Sequence, residues 1–236
     1  MPKVLAIDSS TEACSVSLYH EGAVVSRFEL APRRHAELLL PMVDFVLSEA
    51  AISLTELNAI ACCVGPGAFT GLRIAISAAQ GLAYAAELPC IGISSLEILA
   101  AEAFNKTDAT LCLSSIDARM QEVYFSAFIK SLDGLPEEIH QQQVIAAENI
   151  VLDASLKKHV KTVKVGTGWD EYQYSDEIES VSSDLLLKFS PIKYPNAEMM
   201  LQIALQHLQD EKLLKPEFLQ PVYLRNNVAK KKSQQN

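Results

Sequence analysis

A glycine-rich turn is the stretch of this chain whose residues have the clearest capacity for chemistry. Gly65, Pro66 and Gly67 separate an apolar, β-branched run at residues 58–64 from a long apolar run at residues 72–88. These runs predict a buried strand and a helix, so backbone amides at the turn and the helix start could bind an anion. The spacing fits neither a P-loop nor a dinucleotide-binding fingerprint. A tight strand-to-helix turn that binds nothing therefore remains the alternative.

The spacing of potential metal ligands and nucleophiles along the sequence does not match a catalytic motif. No two of the five histidines are four residues apart, and the five cysteines show neither a C-x-x-C pair nor zinc spacing. No nucleophile–base pair is visible either. Because the cysteines lie in apolar, strand-like runs, we expect them to be small buried hydrophobes in a reducing compartment. The sequence thus predicts no metal site and no catalytic set.

The elements around the glycine turn alternate in the manner of an α/β protein. Predicted strands occupy residues 3–8, 14–19, 23–30, 58–64 and 89–93. Predicted helices occupy residues 35–50, 72–88 and 95–104, with Thr70 and either Ser94 or Ser95 as N-caps. Dense apolar residues in the first strand predict burial on both faces and a central position in the sheet. Three leading strands followed by alternating helices and strands favour parallel segments.

Beyond residue 105 the pattern restarts on a smaller scale. Predicted strands occupy residues 109–116, 122–129, 139–145 and 162–165, and predicted helices occupy 146–156 and 197–211, the second capped by Asn196. We therefore divide the chain into a first lobe at 1–105, a reduced second lobe at 106–215 and a C-terminal segment at 216–236. That segment is expected to pack back on the body and then to end in a mobile basic tail.

Two predicted helices carry more apolar side chain than one sheet can cover. The helix at 72–88 is apolar or small on every face, and the helix at 35–50 is nearly as apolar. A helix that is hydrophobic all round must be covered all round, and its own sheet covers one side only. The two helices could simply cover each other and the sheet. We favour a protein interface, with these candidate contact residues: Leu38, Leu39, Met42, Ile74, Ala75, Ala78 and Leu82.

The charge distribution argues against direct nucleic-acid binding by the body of the chain. The net charge is −9, and positive charge predominates only in residues 216–236. Nucleic acid is bound mainly through Lys and Arg at phosphates, so another subunit would have to make most contacts with an RNA. The run Lys230, Lys231 and Lys232 could touch RNA or form a solvated tail. Without a signal-peptide pattern or a membrane-spanning run, we expect a cytoplasmic protein.

Four blocks of sequence together resemble the TsaB (YeaZ) family, a subunit of the bacterial machinery that makes threonylcarbamoyladenosine in tRNA. They are residues 6–11 (AIDSST), 65–73 (GPGAFTGLR), 117–124 (DARMQEVY) and 221–225 (PVYLR). The resemblance implies an α/β fold with two lobes of the actin/Hsp70/sugar-kinase type. In this fold each lobe is RNase-H-like, and the second lobe here would be reduced.

In that superfold, an acid at a strand end positions a metal ion, and hydroxyls and amides meet phosphate. The resemblance therefore implies a possible nucleotide site at Asp8, Ser9, Ser10, Thr11, Gly65 and Gly67. The alternative is that the hydroxyl residues form and cap a β-turn. A stand-alone ATPase or small-molecule kinase would need a second glycine-rich loop in the other lobe. Residues 166–168 (GTG) are the candidate for it.

The resemblance further implies a non-catalytic scaffold subunit. Its complex would transfer threonylcarbamoyl to N6 of adenosine 37 in tRNAs that read A-starting codons. The partners would be TsaD, TsaE and a second copy of the chain, with tRNA contacted indirectly. The chain alone would hold no cofactor, although ATP or ADP could lie at a subunit junction. A stand-alone ATPase or kinase is the main alternative, and a peptidase ranks last. Asp117, Arg119 and Glu122 are interpreted either as a hairpin lock or as residues of the cleft between the lobes.

Overall fold

Two β-sheets with helices packed on them make up the computed structural model, which describes residues 1–151, 161–174 and 192–225. The first sheet contains β1 (Val4–Asp8), β2 (Ala13–His20), β3 (Ala23–Leu30), β4 (Ala59–Gly65) and β5 (Cys90–Ser94). The second contains β6 (Leu111–Asp117), β7 (Glu122–Lys130), β8 (Pro136–Ala146) and β9 (Thr162–Val165). The helices are α1 (His35–Glu49), α2 (Phe69–Ala85), α3 (Ser95–Lys106) and α4 (Ala197–Gln209).

In the first sheet the strand order is β3-β2-β1-β4-β5. Strands β1, β2 and β3 are antiparallel neighbours, whereas β4 and β5 continue the sheet in parallel. β1 is therefore central and, as its apolar sequence predicts, buried along its whole length. Because side chains alternate along a strand, Leu5 and Ile7 pack towards α1 and α2, whereas Val4 and Ala6 pack towards α3 and α4.

The second sheet repeats this pairing with one strand fewer. Its order is β8-β7-β6-β9, with β6, β7 and β8 antiparallel and β9 parallel to β6. This matches the order β3-β2-β1-β4 of the first sheet without an equivalent of β5. The prediction of a two-lobed α/β fold with a reduced second lobe is confirmed.

Helix α3 lies between the two sheets. Ile98 and Ala101 belong to the core on the first sheet, whereas Leu99 and Phe104 belong to the core on the second. The Ser94 hydroxyl accepts a hydrogen bond from the Leu96 amide at 3.2 Å, which confirms Ser94 as the N-cap. This helix is consequently the shared layer of the two lobes.

Helix α4 follows the second sheet in the chain and packs on the first sheet in space. The Ala197 amide donates to Ser15 Oγ on β2 at 3.0 Å, and Ser26 Oγ on β3 donates to Glu198 at 3.0 Å. Asn196 caps the helix as predicted, since its side chain accepts from the Glu198 amide. The division at residues 106–215 groups this helix with the second lobe, but its contacts place it on the first.

Several predicted element boundaries are wrong. α2 begins at Phe69 and ends at Ala85, three residues before the predicted end, and its N-cap position is occupied by Ala68 rather than Thr70. No side chain caps this helix, because the chain enters it directly from the glycine turn. In the described part of the helix predicted at 146–156, a 3₁₀ turn at Ala147–Asn149 is present instead, and residues 152–156 of that prediction lie outside the described residues.

The C-terminal segment packs on the body as far as it is described. Leu219 is fully buried in the core on the first sheet, and the Val222 amide donates to the Val64 carbonyl at 2.8 Å. Arg225 then reaches the second lobe, where it pairs with Glu122. The segment therefore links both lobes. The predicted basic tail lies outside the described residues.

Candidate functional site

The residues of the predicted nucleotide site lie on two loops that are in contact with each other. A Cβ atom on Gly67 would collide with the carbonyl oxygen of Ser10, and one on Gly71 would collide with that of Ser9. The Ala68 amide donates to Ser10 O at 2.7 Å, and Ser9 Oγ donates to Gly71 O at 2.8 Å. Both glycines are therefore required by backbone contact inside the chain. This geometry favours the tight structural turn.

Asp8, at the end of β1, is completely buried beside this turn. Its Oδ1 atom accepts a hydrogen bond from the Ser10 amide at 3.0 Å, while Oδ2 has no hydrogen-bond partner among the described residues. Burial raises the pKa of Asp8, because desolvation penalises the charged carboxylate. An acid that positions a metal ion acts as a carboxylate, so these surroundings do not strengthen the nucleotide prediction. That site stays a prediction.

In the second lobe, two loops at strand ends pack against each other in the same way. A Cβ atom on Gly166 would collide with the Ser115 carbonyl oxygen, and one on Gly168 would collide with the Ser115 hydroxyl. The Asp117 amide donates to the Thr167 hydroxyl at 3.2 Å. The glycines at 166–168, which the sequence offered as a second phosphate loop, are thus also occupied by packing against the neighbouring strand end.

Acidic and basic residues lie at the hairpin tip where β6 ends and β7 begins. This tip is exposed, and side-chain contacts tether it to other parts of the chain. Asp117 accepts a hydrogen bond from the Tyr172 hydroxyl at 2.7 Å and pairs with Arg119 at 3.1 Å. The Arg119 side chain is nevertheless 79% exposed. Glu122 pairs with Arg225 from the C-terminal segment. The Asp117–Arg119 pair of the hairpin-lock interpretation is therefore formed but not buried, and a second ion pair, between Glu122 and Arg225, ties the same hairpin to the C-terminal segment.

Metal-ligating side chains are dispersed in the described ranges, where no three of His, Cys, Asp and Glu group into a possible ion site. The cysteines are buried as expected, and burial raises the pKa of Cys112 to about 12. Their thiols are therefore neutral packing groups. No helix within the same ranges has the length and apolar content needed to cross a membrane.

The candidate contact residues on α1 and α2 divide into two groups. Leu39, Met42 and Ala75 belong to the core on the first sheet and are at most 8% exposed. Their prediction as contact residues is corrected, because they lie on the inward side of their helices and are covered by the chain itself. The other four are partly buried and reach the surface: Leu38, Ile74, Ala78 and Leu82.

Large side chains that the sequence did not single out extend this surface. Phe69, at the start of α2, is 57% exposed, and Tyr84, near its end, is 80% exposed. Leu40 on α1 is 53% exposed. No sequence signal separates them, because the exposed side of a helix that is apolar all round depends on its rotation against the sheet. We call the outward surface the helical face and define it as Leu38, Leu40, Phe69, Ile74, Ala78, Gly81, Leu82 and Tyr84.

Gly81 is unusual among the glycines of the chain because nothing around it requires a glycine. It lies inside α2, is exposed, and a Cβ atom there would meet no atom within 4 Å. A glycine inside a helix costs about 1 kcal/mol relative to alanine. The helical face thus carries a residue that lowers stability without a packing reason in the described part of the chain.

Comparison with other proteins identifies the family. The family model described as "TsaD: tRNA N6-adenosine threonylcarbamoyltransferase" matches residues 27–233. The "tRNA threonylcarbamoyladenosine biosynthesis protein TsaB" of Escherichia coli (strain K12) is 44% identical over 98% of this chain and 97% of that protein. The chain belongs to the TsaB family. The TsaB protein of Haemophilus influenzae is 39% identical, over 97% of this chain and 96% of that protein.

Solved structures agree with this assignment. A crystal structure from Pseudomonas aeruginosa, described as an uncharacterized protein with similarity to peptidase YEAZ, superposes with a TM-score of 0.85 at 37% identity. It covers 95% of this chain and 100% of that one. A second structure, "YeaZ from Pseudomonas aeruginosa", gives a TM-score of 0.81 with the same identity and coverage. The resemblance to the TsaB family is confirmed along nearly the whole chain.

Proposed function

We propose that this chain is a non-catalytic scaffold subunit in the biosynthesis of threonylcarbamoyladenosine in tRNA. Its complex transfers threonylcarbamoyl to N6 of adenosine 37 in tRNAs that read A-starting codons. The chain pairs with TsaD and contributes to the binding site of TsaE, while tRNA is contacted through the complex. The single observation that carries this proposal is the helical face, on which two neighbouring helices expose apolar side chains.

The physical support for docking is that the helical face is both apolar and fixed. Its helices are anchored to the sheet by inward residues such as Leu39 and Ala75, so the outward residues are held in place before binding. Preorganised surface loses less conformational entropy on association than mobile surface does. A second copy of the chain presents the same face, so the free protein pairs with itself, and TsaD, whose lobe is related, displaces that copy.

The non-catalytic part of the proposal is supported by the strand-end loops. In each lobe the two strand-end loops pack against each other, and burial of Asp8 penalises its charged form. Any ATP or ADP therefore lies at a subunit junction, where a second chain supplies part of the site. The proposal places the complex in the cytoplasm, where the buried thiols remain reduced.

An Ala78→Arg variant tests the helical face. The long cation would lie among apolar residues of the interface, so co-purification with TsaD should be lost. Gln202→Arg is the matched control, because Gln202 is exposed on α4, which covers the opposite side of the first sheet. Both variants should melt at the temperature of the parent protein. Undiminished co-purification of the Ala78→Arg variant would contradict the proposal.

A mass measurement in solution tests the self-pairing. The chain alone should have the mass of a dimer, and addition of TsaD should replace that species by one containing both chains. Addition of TsaE should then increase the mass again. A chain that stays monomeric and shows no mass change with TsaD would remove the scaffold proposal altogether.

A further inference from the structure

A surface depression of about 450 Å³ lies at the N-terminal end of α2, beside the helical face. It is lined by Phe69, Thr70, Arg73, Ile74 and Ser77. All five residues belong to α2, so a guanidinium group, two hydroxyls, an aromatic ring and an aliphatic side chain share one open, shallow depression along this helix. Such a lining suits a short apolar stem that ends in a negative charge.

Arg73 is held in place before anything binds to it. Its Cζ atom lies 3.8 Å from the centroid of the Phe69 ring. Its Nε atom donates to the Tyr223 hydroxyl at 3.1 Å, and the Phe69 and Tyr223 rings stack with centroids 5.9 Å apart. A guanidinium fixed in this way loses little further conformational entropy when it binds a ligand.

The two terminal nitrogens of the Arg73 guanidinium, which we call its fork, have no hydrogen bond or ion pair among the described residues. They therefore remain available to bind an anion. Arg34 and Arg225 are paired within the chain, with Glu29 and Glu122, whereas Arg73 and Arg27 each stack on an aromatic ring and have no ion pair among the described residues. The chain as a whole carries a net charge of −9. Arg73, unlike Arg27, lines the depression that runs into the helical face, so a protein docked on that face would supply the anion for its guanidinium.

We infer that the depression receives an Asp or Glu side chain of the partner subunit, with the Arg73 fork binding its carboxylate. This inference rests on the proposed function, because it requires a protein to dock on the helical face. Guanidinium and carboxylate form paired, charge-assisted hydrogen bonds, to which the hydroxyls of Thr70 and Ser77 can add. An RNA phosphate fits the same fork. It is disfavoured because the lining continues through Ile74 into the apolar helical face and because the chain is acidic.

An Arg73→Gln variant of the full chain, titrated with purified TsaD at low and high salt, tests the inference. Loss of the fork should weaken binding by about tenfold and flatten the salt dependence of the Kd. Tyr223→Phe keeps the ring and removes the hydroxyl that holds Nε, so it should cause a smaller loss. Arg27→Gln is the matched control, because Arg27 stacks on Phe45 in the same manner but does not line the depression.

The outcomes separate this inference from the proposed function. If Ala78→Arg abolishes binding while Arg73→Gln keeps the parental Kd and salt dependence, the carboxylate inference is overturned and the scaffold proposal stands. If neither variant changes binding, both are overturned. If Arg73→Gln binds TsaD normally but loses binding to tRNA in a gel-shift assay, the anion is a phosphate, and the inference is again overturned.

Discussion

Helices α2 and α3 are both apolar and are separated by a single strand, yet their surroundings differ completely. α3 lies between two sheets, and nearly every residue from Ser95 to Phe104 is buried. α2 covers one sheet only, and Phe69 and Tyr84 protrude from its outer side. Apolar composition therefore indicates only that the surface of a helix must be buried against something. Whether the cover comes from the same chain is decided by where the helix stands in the two-lobed topology.

The strongest test of this contrast is a truncation inside α3. Leu99 is fully buried in the core on the second sheet, so Leu99→Ala should leave a cavity and lower the free energy of unfolding by about 2–5 kcal/mol. The matched truncation Leu40→Ala, on the exposed side of α1, should change it by less than about 0.5 kcal/mol. Urea unfolding measures both. Equal losses would show that the surface leucine is covered in the free protein.

The converse test is a truncation on α2. Tyr84→Ala should leave the urea midpoint unchanged, because the side chain is 80% exposed. It should weaken TsaD binding by about tenfold or more, since large aromatic side chains are typical anchors of interfaces. Calorimetry gives the Kd of parent and variant. Parental affinity would mean that the outer side of α2 is not the docking surface.

A pH test probes the edge of α3, at the one half-buried residue between Ser95 and Phe104. Glu97 lies in its first turn, where burial and, to a smaller extent, the nearby Glu138 raise its pKa from 4.5 to about 7. The folded state then binds more protons than the unfolded state between these values, so stability should fall as the pH rises from 4.5 to 7.

Glu97→Gln should remove this dependence. Above pH 7 the variant should be more stable than the parent by an amount on the order of 1 kcal/mol, and below pH 4.5 the two should agree. Thermal melts across this range measure the difference. A parent whose stability is flat over the range would contradict the enclosure of this carboxyl.

The smallest expected effect concerns Gly81. Gly81→Ala should stabilise the free chain by about 0.5–1 kcal/mol, because alanine is the better helix former and nothing in the structure opposes a methyl group there. The same methyl group should weaken pairing if a partner approaches the helix closely at this point. A variant with higher stability and unchanged Kd would show that the glycine serves no contact.

Features that depend on a few neighbouring residues were predictable from the sequence. The caps Ser94 and Asn196 are correct, because a cap is a hydrogen bond between residues two or three positions apart. The central place of β1 is also correct, since unbroken apolar residues in a strand are typical of burial on both faces. The sequence blocks at residues 6–11 and 65–73 were also predicted to contribute to one site, and they lie on two loops that are in contact in the structure.

Features that depend on distant parts of the chain were not predictable in this way. The prediction of Leu39 and Ala75 as contact residues is wrong, because periodicity alone does not fix the rotation of a helix that is apolar on every side. The position of α4 on the first sheet is set by contacts with residues about 180 positions earlier in the chain, such as that between the Ala197 amide and Ser15. The anchoring of Arg73 depends on Tyr223, which lies 150 residues further along the chain.

The position of α4 also has a consequence for how the protein is made in the cell. The side of the first sheet that carries Val4 and Ala6 is completed only when Ala197–Gln209 has been translated. At about 5–20 residues per second, the ribosome needs roughly 5–20 s to add the residues between α3 and α4. For that interval α3 covers this apolar side of the sheet only in part, so the nascent chain should depend on chaperones to avoid aggregation.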